Sequence, residues 1–109
     1  MPFDEKVADR VCRFLRSKGE VTERKMFGGV AFMLRGNMLC AVGKNDLMVR
    51  VGPSGYEAAL RLPHAHPMRF TGRPMRGYIT VDTAGYETSD GLGLWLDKAL
   101  AFVRTLPPK

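Results

Sequence analysis

Cysteine is scarce in this sequence. Cys12 and Cys40 are its two cysteines in 109 residues, too few for a disulfide framework or a zinc cage. Cys12 lies beside the apolar stripe of a first helix and Cys40 sits inside Met38-Leu39-Cys40-Ala41-Val42. Both read as buried thiols that pack like small hydrophobes, in preference to a redox sensor or a disulfide. No apolar run approaches the roughly 20 residues that a membrane span requires. The start, Met1-Pro2-Phe3-Asp4-Glu5, has no basic stretch followed by an apolar one, so no secretory signal is read and the cytoplasm is the expected compartment.

Groups arranged for catalysis are also missing. Ser17, Ser54 and Ser89 do not sit in a Gly-x-Ser-x-Gly elbow. His64 and His66 lie two apart in a stretch bracketed by Pro63 and Pro67, and no third ligand is evident near them. A metal takes three or four ligands, so the pair reads as part of a surface loop. Glu20 and Glu23 flank a helix end and a strand start and read as solvated. The expectation is no catalytic residue, no metal, no cofactor and no enzyme.

What remains is ordinary in amount and uneven in placement. With 45% hydrophobic and 26% charged residues the chain falls in the globular class, and its length fits one domain over residues 1–109. One core of that size leaves little volume for a deep cofactor cleft. The net charge of +6 favours an acidic partner. No acidic residue occurs between Ala58 and Val81, where Arg61, Arg69, Arg73 and Arg76 accompany both histidines.

Periodicity orders the elements. Asp4 can cap a helix in which Val7, Ala8, Val11, Phe14 and Leu15 form one face, and Lys18-Gly19 ends it. From Val21 to Val51, short apolar runs separated by Gly28-Gly29, Arg35-Gly36-Asn37 and Gly43-Lys44-Asn45-Asp46 predict an antiparallel meander. Gly52-Pro53 stops it and Pro53 suits a first helical position, with Tyr56, Ala59 and Leu60 marking a short helix. Residues 61–77 hold Pro63, Pro67 and Pro74 and read as a long irregular loop, with Met68 to Phe70 as a candidate edge strand. Tyr78-Ile79-Thr80-Val81 is a strand, followed by a turn around Ala84-Gly85. Ser89 or Asp90 then caps a last helix carrying Leu92, Trp95, Leu96, Ala99, Leu100, Val103 and Leu106, which Pro107-Pro108 ends. The predicted fold is α+β in two layers, an antiparallel sheet of about five strands with N-terminal, short middle and C-terminal helices packed on it.

Three features bear on function. Gly28-Gly29 follows an apolar run, but Val30-Ala31-Phe32 after it is a strand; a phosphate cradle delivers its anion to a helix N-terminus. The glycines therefore read as a turn or bulge. Arg61, Arg69, Arg73 and Arg76, with Phe70 and Tyr78 nearby, are the candidate contacts to a partner or to nucleic acid; the plainer reading is a solvated basic loop whose arginine stems cover apolar core. Four phosphate contacts give a salt slope of only about −3.6, so such binding is weak. Leu94 and Phe102 fall off the apolar stripe of the last helix, where they either widen its core face or stay exposed as candidates for self-association.

Taken together, four blocks carry a family resemblance: Lys25-Met26-Phe27-Gly28-Gly29-Val30-Ala31-Phe32-Met33, Leu47-Met48-Val49-Arg50-Val51-Gly52-Pro53, Phe70-Thr71-Gly72-Arg73-Pro74-Met75-Arg76-Gly77-Tyr78 and Leu106-Pro107-Pro108-Lys109. In this order and spacing they closely resemble the TfoX/Sxy N-terminal domain family, from about Val7 to the last residue. The resemblance implies helices packed on one antiparallel sheet. Its named members are regulators of natural competence that raise transcription of DNA-uptake genes together with the cyclic-AMP receptor protein. Those regulators carry a further helical domain, whereas this sequence ends at Lys109, so a single-domain member is expected. The resemblance brings no catalytic or cofactor residue to these positions. The expected partner is a protein, such as a transcription factor, or a second copy of the chain; the alternative is weak, low-specificity binding of nucleic acid through the basic loop.

Overall fold

The structure is a computed structural model that describes residues 4–19, 21–26, 29–44, 46–70 and 73–107, with the side chains at 26, 69, 70 and 73–75 outside that description. The first helix, α1 (Glu5–Leu15), begins where expected: Asp4 Oδ1 accepts hydrogen bonds from the amides of Lys6 and Val7 at 3.0 and 3.2 Å. These satisfy two of the amides that a helix start leaves free.

Six strands follow in one antiparallel sheet: β1 (Val21–Met26), β2 (Gly29–Leu34), β3 (Asn37–Val42), β4 (Asp46–Arg50), β5 (Ala65–Phe70) and β6 (Arg73–Asp82), in spatial order β1-β2-β3-β4-β6-β5. The first four form the meander read from the sequence. Arg35 and Gly36 join β2 to β3 with φ of 53° and 86°, the double positive φ of a two-residue hairpin whose twist matches its strands. Met26 pairs with Gly29 across the β1–β2 junction; Phe27 and Gly28 lie outside the described residues.

The sixth strand corrects the reading of residues 61–77 as an irregular loop. The described ones among them form the C-cap of the short helix α2 (Tyr56–Leu60), a turn, all of β5 and the first half of β6. Proline hides this because it cannot donate to a ladder. Pro67 is accommodated because β5 is an edge strand, and the register shifts between Pro67 and Arg69. A second correction concerns the turn around Ala84-Gly85, which is a short helix, α3 (Thr83–Tyr86). The long helix α4 (Ser89–Val103) is capped by Thr88, not by Ser89 or Asp90: Thr88 is extended and its Oγ1 accepts from the Gly91 amide at 3.0 Å. Pro53 precedes α2 in a turn and does not open the helix.

Alternation sorts the strand residues onto two faces. Val30, Phe32, Cys40, Val42, Leu47, Val49, Ile79 and Val81 meet Val7, Val11, Leu15, Ala59, Tyr86, Leu92, Trp95, Leu96, Leu100 and Val103 in one buried cluster. All four helices contribute to it, so they form one layer over one face of the sheet. Trp95 ties α4 to α3, donating from Nε1 to the Gly85 carbonyl at 3.2 Å. Burial pushes the Cys40 thiol up to about 12, which keeps it protonated and inert at neutral pH. Cys12 is also a free thiol, partly buried against the cluster. At one end of the sheet, buried Asn37 donates from Nδ2 to the Pro107 carbonyl at 2.9 Å, tying the hairpin to the segment after α4. Among the described residues no helix is long and apolar enough to cross a membrane.

Candidate functional site

The face of the sheet turned away from the helices is the first candidate surface. Register places Arg24, Ala31, Ala41, Met48, Thr80 and His66 side by side in one row across all six strands. Thr22, Met33 and Met38 continue in a neighbouring row, and Arg50 faces Tyr78. Ala31 and Met48 are buried, yet neither belongs to the cluster formed with the helices. The centre of this face is therefore alanine and methionine, small or unbranched side chains that adapt to another surface. Arg24 and His66 are exposed at its two sides.

Arg50 is held rather than free. Its guanidinium carbon lies 5.5 Å from the ring centres of both Tyr78 and Phe102, within cation–π range. Gly52, at φ +83°, lets the Phe102 ring come this close, since a Cβ there would overlap it. Phe102 is thus partly buried against the core and engaged within the chain. Of the two residues expected to mediate self-association, Leu94 alone is largely exposed, at 47%.

Leu94 borders the second candidate, a cleft of about 250 Å³ lined by Leu62, Pro63, His64, Ala84, Gly85, Thr88, Gly91, Leu94 and Trp95. Two glycines shape it: a Cβ on Gly85 would press on His64, and one on Gly91 would meet the Gly85 carbonyl. At its rim the two histidines find a partner that sequence spacing did not reveal. Asp82, at the end of β6, takes His64 Nδ1 at 2.9 Å on Oδ1 and His66 Nε2 at 3.0 Å on Oδ2. Both histidines lie on the surface, as read, His64 in the turn before β5 and His66 on that edge strand, and they share one carboxylate. The missed signal was strand pairing: β5 and β6 run antiparallel, so Ala65 faces Val81 and Asp82 falls next to both histidines.

The His66 hydrogen bond and the two imidazoles hold the Asp82 carboxyl below its usual value. Asp82 Oδ1 is shut off from solvent, and His64 Nδ1 approaches it without the alignment of a good hydrogen bond. Each imidazole is turned onto a separate carboxylate oxygen, leaving no common point for an ion. Among the described residues no three His, Cys, Asp or Glu side chains are arranged to hold a metal.

The candidate arginines divide. Arg61, at the end of α2, and Arg76, on β6, are exposed. Arg69 and Arg73 lie on β5 and β6 next to the hairpin connection, where Arg69 pairs with Pro74 and Phe70 with Arg73; their side chains lie outside the described residues. The hairpin brings three of the four arginines onto two adjacent strands, and Arg61 stays on the preceding helix end.

With this geometry in place, the comparisons can be read. The sequence model of the TfoX N-terminal domain family matches residues 13–103, and the chain belongs to that family. Among curated proteins no match was found.

Proposed function

We propose that this chain, as a member of the TfoX N-terminal domain family, is a non-enzymatic regulatory module that works by binding another protein. The observation that carries the reading is the open sheet face: methionine and alanine at its centre, with Arg24 and His66 exposed at its sides. Such a face suits a partner surface that is apolar with an acidic border. The family relation favours a transcription-regulating partner, as in the control of natural competence. Nucleic acid is the less favoured partner because stacking needs aromatic platforms, and Tyr78 on this face is already engaged with Arg50.

The test is capture from native lysate with a tagged chain, comparing wild type with Met33→Lys/Met38→Lys. Retrieval of a discrete, nuclease-insensitive protein by the wild type but not by the folded variant supports the reading. Retention that depends on nucleic acid, with a salt slope reduced by about one unit for each arginine of the set 61, 69, 73 and 76 changed to alanine, overturns it in favour of nucleic acid.

A further inference from the structure

The exposed side of α4 carries a pattern that the open sheet face does not use. Asp90, Leu94 and Lys98 follow one another at four-residue intervals, so they form a single ridge along the helix. The buried residues Leu92, Trp95, Leu96, Ala99, Leu100 and Val103 occupy the opposite side. Leu94 is the one large hydrophobic side chain exposed among the described residues, and it stands at the mouth of the apolar cleft formed with Leu62, Pro63 and Trp95.

An acid, a leucine and a base in that order complement themselves when reversed. Two such helices lying antiparallel across a two-fold axis at Leu94 bring Asp90 of each copy to Lys98 of the other, twice over. Leu94 of each copy then reaches the leucine and the cleft of its partner. A parallel arrangement would set Asp90 against Asp90 and Lys98 against Lys98. The charge order thus selects both the occupant and its orientation.

We propose that α4 is a homodimer interface, in which a second copy of this chain packs antiparallel with Leu94 at the axis and Asp90–Lys98 pairs on both sides. The contact is isologous, as a two-fold axis requires. Leucine burial supplies most of the attraction, and the pairs between exposed Asp90 and half-buried Lys98 set the register at modest strength.

The experiment is sedimentation equilibrium of the purified chain from micromolar to sub-millimolar protein, with circular dichroism confirming the fold of each variant. Wild type is expected to show a monomer–dimer equilibrium, which Leu94→Asp removes across the range. Asp90→Lys alone and Lys98→Asp alone each weaken dimerisation about tenfold, since two attractive pairs become repulsive. Mixing those two single variants restores it as a heterodimer, because every pair is again of opposite sign. A wild type that stays monomeric throughout, or a dimer indifferent to Leu94→Asp, overturns the proposal. So does a mixture that associates no better than its components.

Discussion

The two faces of the sheet are built from the same strands and differ in kind. On the covered face, β-branched and bulky residues such as Phe32, Val49, Ile79 and Val81 are fully enclosed with the helices. On the open face the intervening positions are Ala31, Met33, Met38, Ala41 and Met48. Rigid, well-shaped side chains define a single packing, whereas short and flexible ones leave a surface able to meet another molecule. One face fixes the fold, and the other is the surface we propose for a partner. Substitutions on the two faces should therefore separate stability from binding.

Truncation of Phe32 to alanine is expected to have the largest effect, a loss of about 3–5 kcal/mol from a fully buried aromatic site, read by urea denaturation. Thr88→Ala, which removes the cap on α4, should cost about 1 kcal/mol by the same measurement. Met33→Ala on the open face should cost under about 1 kcal/mol while weakening partner capture. If Met33→Ala destabilised the chain as strongly as Phe32→Ala, the distinction between the faces would fail.

The smallest effect concerns the rim, and it depends on pH. Folding lowers the Asp82 pKa, chiefly through the His66 hydrogen bond, so folding favours the ionised carboxylate. Its contribution is present above the ordinary value of 3.8 and disappears as pH falls through the lowered folded value. The melting temperature of wild type should exceed that of Asp82→Asn above the ordinary carboxylate range, and the two should converge in stronger acid. A difference that widened on acidification would contradict this assignment.

The same physical contrast decides what could be read from the residues. The β1–β4 meander was legible because its short apolar runs are separated by turns that carry glycine or asparagine. The α1 face and most of the α4 stripe were legible for the same reason at helical spacing. The β5–β6 hairpin was not, because Pro67 breaks the alternation at the very position where the register shifts. Asp82 was missed as the partner of His64 and His66 because it is 16 residues from His66 in sequence and adjacent only through strand pairing. Phe102 was left between core and surface because periodicity cannot show that Gly52, far earlier in the chain, leaves room for its ring. The open face could not be read from the residues, because only the placement of the helices on one side shows which strand positions they do not cover.

That difference between the faces is tested most directly by crosslinking in the native cell. A photoreactive residue placed at Met33 on the open face is compared with one at Asp9, which is exposed on α1. The account predicts a discrete protein adduct from position 33 that Arg24→Glu diminishes, and none of that kind from position 9. Equal adducts from both positions, or none from position 33 with the chain folded, would contradict it.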